Sequence, residues 1–246
     1  MSCAFSIEGI RSLDPLGLAQ LLESRLAWRY PLCTDAELKH LSMPEMRRQT
    51  FEEPLPDFTV FTHTRSDGSL NNDKAVLFFI EDVRFNNILA EPWSYFDWLS
   101  QYPAVATPDV SVNTDAPLVE QFLAVYQNRL IGAIWQKMGL KVIPTVSWAG
   151  LDSYPFCFRG IERGSIVTVS SLGIKATRHT QEFVQGFTAM IEQVKPSVVV
   201  CYDGLLLGMK CPVPVITVEH VARQASKAAR QLQLPGQQKM RLPGIP

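Results

Sequence analysis

The sequence predicts an α/β domain with a mostly parallel sheet, on three observations. Short apolar runs rich in valine and isoleucine recur from Ala75 to His220. Helical stretches lie between several of them, the alternation of βα units. The joins fit as well: KMGLKVIPTVSW passes from helix through glycine to strand, and EQVKPSVVVCYD passes through Lys-Pro. Runs such as SIVTV and SVVVC are apolar nearly throughout, as strands buried on both faces are. About seven strand candidates result, which suits an irregular or incomplete (β/α) barrel or an open twisted sheet. The barrel-like form is favoured, because the strands are evenly short and polar groups repeatedly follow their C-terminal ends.

Residues 1–57 read as an N-terminal helical extension and connector. Pro15 opens LGLAQLLESRLAWRY, which sets Leu18, Leu21, Leu22, Leu26 and Trp28 near one face until Pro31 ends the helix. A weaker helix follows Thr34, and the charged, proline-broken stretch from Pro44 to Pro56 reads as a surface connector. The α/β core spans 58–220. DFTVFTHT and AVLFFI, separated by SDGSLNND, read as two strands of a hairpin with a long loop. PAVATPDVSV supplies the next strand, and Ala116 to Met138 forms a long helix stopped by Gly139. KVIPTVSW and GSIVTVSS follow, then a helix over 179–194 ended before Pro196, and then PSVVVCYD and PVPVITVEH. Residues 221–246 carry five basic side chains and no acid, a basic helix and tail expected to pack on the core.

Bulk properties narrow the function classes. A chain of 246 residues can bury nearly three quarters of its extended surface, ample for one core without disulfides or metal. With 46% hydrophobic and 19% charged residues, wholesale disorder is excluded. The 23 basic and 24 acidic side chains nearly cancel, so no global field draws nucleic acid or anionic lipid. The footprint of 221–246, without interleaved aromatics, makes only a weak case for nucleic acid. No apolar run approaches a membrane span, no basic leader opens the chain, and five scattered cysteines lack a CxxC pair. A cytoplasmic setting is expected, with a small molecule or a protein as partner. Cofactor and oligomeric state are left open.

In parallel α/β folds the chemistry gathers at the C-terminal strand ends. Asp109, Asp203 and Glu219 stand at three such ends and are the candidate catalytic acids. Separate carboxylates there allow hydrolysis by acid–base chemistry, or a divalent cation. If VATPDVSV is one strand, Asp109 and Ser111 share a face with Val105 and Thr107, so Asp109 is either a site residue or a buried partner for an arginine. Arg84, after Glu81 and Asp82, is the candidate anion holder. Asp115 is a helix cap or a ligand contact, and Arg129, three turns into its helix, is an anchor or a ligand contact. Trp148 either stacks on a ligand ring or caps the sheet, and Ser170 offers a hydroxyl in the SSLG loop. Dinucleotide, P-loop, GxSxG and HExxH motifs are all lacking, and no metal site is expected. Glu219 and His220 are adjacent strand residues that face opposite ways, which disfavours a shared zinc site.

Larger patterns carry a resemblance. FFIEDVRFNNI, a D-x-S segment at Asp109–Ser111, Y-x-N-R at Tyr126–Arg129, and G-x-K-V-I-P-x-x-x-W at Gly139–Trp148 occur in that order. F-x-F-x-G-I-x-x-G-S follows at Phe156–Ser165. Over about residues 76–219 the chain resembles a family of bacterial and phage proteins known as a domain of unknown function. The resemblance implies shared positions at Asp109, Ser111, Asp115, Arg129, Trp148, Phe156, Phe158, Gly160 and Gly164. It implies an accessory role in a phage or mobile element, such as defence, counter-defence or DNA management. The residues themselves point to a hydrolase-like enzyme acting on a small or nucleotide-like ligand. The alternatives are a non-catalytic ligand- or protein-binding module and a nucleic-acid management protein.

Overall fold

The computed structural model describes residues 43–174 and 179–220. The expected N-terminal helices and the basic tail lie outside these residues. Seven strands occur among the described residues: β1 (Phe58–Val60), β2 (Ala75–Leu77), β3 (Val105–Ala106), β4 (Val142–Ile143), β5 (Ile166–Ser170), β6 (Val198–Tyr202) and β7 (Val215–Val218). β1-β2-β3-β4 form one sheet and β5-β6-β7 another, with every pairing parallel and strand order following chain order. A parallel bridge between Thr145 and Thr168 joins the two sheets. An all-parallel sheet wound in one direction is the α/β arrangement the sequence predicts, and its order is that of a barrel. Phe58, Val60, Leu77, Phe79, Tyr202 and Val218 pack together across the interior, with Phe79 stacked on Tyr202 at 5.2 Å. No ladder joins β1 to β7 among the described residues. Instead both strands line a cavity of about 480 Å³.

The expected hairpin is not formed. β1 and β2 run parallel, with Phe58 opposite Ala75 and Val60 opposite Leu77. Residues 61–74 are therefore a return crossover rather than a turn, starting with a 3-10 turn at Phe61–His63. The Tyr102 hydroxyl ties it down, accepting from Arg65 N at 3.0 Å and lying 3.1 Å from Leu70 O.

The strands are short where proline interrupts them. Pro108 and Pro144 have no N–H for a ladder, so β3 and β4 stop at Ala106 and Ile143. Threonines take over the cross-strand bonding. Thr145 N donates to Thr107 Oγ1 at 2.8 Å, Thr145 Oγ1 donates to Thr107 O at 2.6 Å, and Thr145 Oγ1 lies 2.9 Å from Thr168 Oγ1. All three threonines are buried.

Among the described residues five α-helices accompany the strands: α1 (Asn86–Ala90), α2 (Phe96–Leu99), α3 (Leu118–Lys137), α4 (Tyr154–Cys157) and α5 (Thr180–Val194). α3 ends as Gly139 predicts. Gly139 N bonds Gln136 O and Leu140 N bonds Trp135 O, both at 3.0 Å, with Gly139 at φ 97°. Its buried side runs through Ala124, Val125, Ile131, Ile134 and Trp135, whereas Leu118 in its first turn is half-exposed.

The segment expected to be a surface connector is clamped to the core. Met43 and Met46 are fully buried. Met46 bridges Ile161, and the Arg47 backbone exchanges two 2.8 Å bonds with the Gln136 amide. Gly160, at φ 75°, has room only for a hydrogen, because a Cβ there would lie 2.3 Å from Pro44 O.

Candidate functional site

Above the C-terminal strand ends lies a cleft with two lobes. The first, about 490 Å³, is lined by Asp109, Asn113, Asp115, Ser147, Trp148, Ser170, His179, Glu182 and Phe183, among others. The second, about 540 Å³, takes in Thr62, His63, Glu81, Arg84, Tyr202 and His220. Asp109, Ser170 and Ile174 line both, so the lobes meet over Asp109.

Asp109 is positioned by its backbone. The strand does not continue through it: Val110 N turns back to Pro108 O at 2.9 Å, just beyond the last ladder residue Ala106. Thr107 is fixed by Thr145, and Asn128 Nδ2 of α3 donates to Pro108 O at 2.6 Å. The half-buried carboxyl is thus delivered to the junction of the lobes. Burial, and then the nearby negative charge of Asp82, push its pKa up to about 7. No ion pair among the described residues involves it. Asp82 is itself held in place, accepting from Ser111 N at 3.1 Å and Ser111 Oγ at 2.9 Å. A carboxyl that takes up and gives off a proton near neutrality can act as general acid or base.

The other candidates fall into distinct places. Asp115 and Ser170 line the first lobe, and Ser170 Oγ accepts from Leu172 N at 3.1 Å. Trp148 forms an aromatic wall there, 5.3 Å from Phe183 and 6.1 Å from Phe158. Gly186 of α5 admits its indole, since a Cβ at that position would come within 2.0 Å of Trp148 Nε1. Arg84 lines the second lobe, where its Nε donates to Glu81 at 3.1 Å in an exposed pair. Arg129 lines neither lobe and is buried. Its guanidinium donates to Arg159 O at 2.9 Å, Thr145 O at 3.0 Å, Cys157 O at 2.7 Å and Asn128 Oδ1. Burial lowers its pKa to about 10, so it remains a cation at neutral pH. Asp109 is not its partner.

The three acids at strand ends do not converge. Asp203 is buried in a left-handed turn at φ 68°, with its N–H donating to Val218 O at 2.8 Å, and it lines neither lobe. Glu219 lines a cavity between β1 and β7 together with Asp57, His63 and Lys74, and this cavity adjoins the second lobe over Val60, His63 and Tyr202. The acids near Asp109 are instead Asp82, Asp115 and Glu182. Glu182 accepts from His179 Nδ1 at 2.8 Å when that nitrogen carries its proton. In the sequence, Asp82 was visible only as an acid after a strand, and its relation to Asp109 rests on the adjacency of β2 and β3. No group of three or more His, Cys, Asp or Glu side chains able to hold a metal occurs among the described residues. No described helix is long and apolar enough to cross a membrane.

Comparison with known proteins places these elements in a family. A family model described as "Domain of unknown function (DUF4417)" matches residues 36–217. The Gene 1 protein of Mycobacterium phage L5 is 39% identical over 140 residues, covering 56% of this chain and 61% of that protein. The Gene 1 protein of Mycobacterium phage D29 is 34% identical over 132 residues, covering 53% of this chain and 49% of that protein. The chain thus matches between about half and three fifths of the length of these curated relatives. No solved structure matches it. Since the family match runs from before the buried strap at Met43 into β7, the chain belongs to the DUF4417 family, whose relatives include phage proteins.

Proposed function

We propose that the protein is a hydrolase-like enzyme whose reaction runs in the two-lobed cleft, with Asp109 moving the proton. One observation carries the reading: Asp109 sits where the lobes meet, fixed from both sides by Thr145 and Asn128 through its backbone neighbours, with a carboxyl titrating near 7. Protonated, it would give its proton to a leaving oxygen; ionised, it would draw one from a water molecule. Trp148 would hold a planar part of a small ligand by stacking, and Asp115 would accept hydrogen bonds from it. Arg129 serves this site only as a positioning residue, through Thr145 O and its neighbour Asn128.

Two measurements test the proposal. Carboxyl NMR should show Asp109 titrating near pH 7, and small molecules retained through gentle purification, identified by mass spectrometry, should be lost from Asp109→Asn or accumulate in it unreacted. Titration near pH 4, together with unchanged retention in the variant, refutes the reading. A second reading, a protein-binding module, is favoured by the start of α3. Leu118, Val119 and Leu123 are exposed there, beside an apolar cavity of about 300 Å³ lined by Leu89, Trp93, Tyr126 and Leu130. A partner lost on Val119→Glu but kept in Asp109→Asn would support it.

A further inference from the structure

The ligand contacts proposed for Trp148 and Asp115 lie in only one lobe of the cleft. The second lobe has a different chemistry. Its polar lining includes Arg84, His63 and His220, with the hydroxyls of Thr62 and Ser170. Ser170 Oγ already accepts from Leu172 N, so its O–H is directed elsewhere as a donor. The His63 imidazole offers one N–H when neutral and two when charged. His220 packs edge-on against Tyr202 at 5.8 Å, and Tyr202 stacks on Phe79, which gives this lobe an aromatic floor.

Two carboxyls border the lobe. Glu81 is paired with Arg84, but both are well exposed, at 75% and 57%, and an exposed pair is only weakly held. An anion with several oxygens can therefore draw Arg84 away from Glu81. Asp109, whose pKa is pushed up to about 7 by burial and by Asp82, can take up a proton as such an anion approaches.

A donor-rich recess with an arginine fork suits an acceptor-only group such as phosphate. Parallel barrels also bind phosphate at the C-terminal face, near their later strands, and here Ser170 of β5, Tyr202 of β6 and His220, just past β7, line the lobe. The first lobe offers the aromatic wall of Trp148 instead. A molecule spanning both lobes has a planar ring at one end and an anion at the other, with its middle over Asp109.

We infer that the cleft takes a phosphomonoester of a planar ring compound, of the nucleoside monophosphate type, with the ring on Trp148 and the phosphate held by Arg84, His63 and His220. The inference rests on the cleft being the ligand site and adds the substrate class.

Calorimetry with the full chain tests it, using purine and pyrimidine 5′-monophosphates, the matching nucleosides, and inorganic phosphate. At least one monophosphate should bind tenfold or more tighter than its nucleoside, with inorganic phosphate competing weakly. Arg84→Ala combined with His220→Gln should erase that gap, and Trp148→Ala should weaken nucleoside and monophosphate alike. Arg84 is exposed, so the single Arg84→Ala variant provides a folded control, which should narrow the gap on its own. No gap, a gap that survives both variants, or no binding by any of the compounds overturns the inference. Failure of the Asp109 reading looks different: monophosphates bind with the expected Arg84 dependence while Asp109 titrates near pH 4. In the converse case Asp109 titrates near pH 7, and an uncharged ligand binds without need of Arg84.

Discussion

Replacing Asp109 by asparagine keeps the side chain's shape and removes its charge. The structure gives the sign and size of the effect. The carboxyl titrates at an ordinary value near 3.8 when unfolded and at about 7 when folded. Between these values the native state binds more protons than the unfolded state, so stability falls as pH rises through that window. The cost is absent below pH 3.8, grows through pH 4–7, and is complete above pH 7. Three pH units at about 1.4 kcal/mol each set a ceiling of about 4 kcal/mol. The carboxyl faces the cleft, where water screens part of its charge, so about 2–4 kcal/mol is expected. Asp109→Asn should therefore be more stable than the wild type by that amount at pH 8 and equal to it near pH 3.5. Urea unfolding of both proteins from pH 3.5 to pH 8 measures the difference. A variant less stable than wild type at pH 8, or a difference that does not change with pH, would show that Asp109 is satisfied by a partner and refute the reasoning.

Further predictions concern the groups around it. Asp82→Asn removes the second cause of the raised pKa, so carboxyl NMR should find the Asp109 midpoint lower, with burial still holding it above the ordinary range. Thr145→Val keeps shape but strips the bonds to Thr107 O and Thr168, and urea unfolding should show a loss of about 1–3 kcal/mol. Arg129→Lys cannot reproduce the fork over three carbonyls, and should cost about 2–4 kcal/mol by the same assay while leaving the variant folded. Gly186→Ala forces the Trp148 indole aside, a loss of about 1–3 kcal/mol that outweighs the helix-propensity gain, with a shift in tryptophan emission as the spectroscopic check.

The architecture was legible because it is written in local periodicity. The later strands β5 to β7 and the two long helices emerge nearly at their expected bounds, α3 stops at the glycine that marks its end, and proline cuts β3 and β4 to two residues each. Chain return was not legible. The DFTVFTHT and AVLFFI runs have the pattern of strands whether they pair parallel or antiparallel, and only the path of residues 61–74 decides. Proline was the signal that could have corrected another expectation. Pro108 denies Asp109 a place in a continuous strand, so the shared face with Val105 and Thr107 never forms. Ser111 turns to Asp82 instead. The grouping of Asp109, Asp203 and Glu219 assumed that strand ends converge. They do, but a left-handed turn buries Asp203, and Glu219 projects into the seam between β1 and β7.

The positions named by the family resemblance divide once geometry is known. Asp109, Asp115 and Trp148 line the cleft, and Ser111 bonds Asp82, whose charge acts on Asp109. Arg129 and Gly160 do not: one gathers the carbonyls of 145, 157 and 159, and the other admits the strap at Pro44. The Y-x-N-R segment contains both kinds of support within two residues. Asn128 holds the peptide before Asp109, and Arg129 holds the end of β4 and the segment after α4. A single turn of α3 thus fixes two walls of one cleft relative to each other. Spacing alone could not separate ligand contacts from this framework, because a helix that positions a site needs polar residues facing inward as much as the site does. The separation is experimental. Framework changes such as Arg129→Lys should lower stability and ligand affinity together, whereas Asp109→Asn should raise stability while abolishing function.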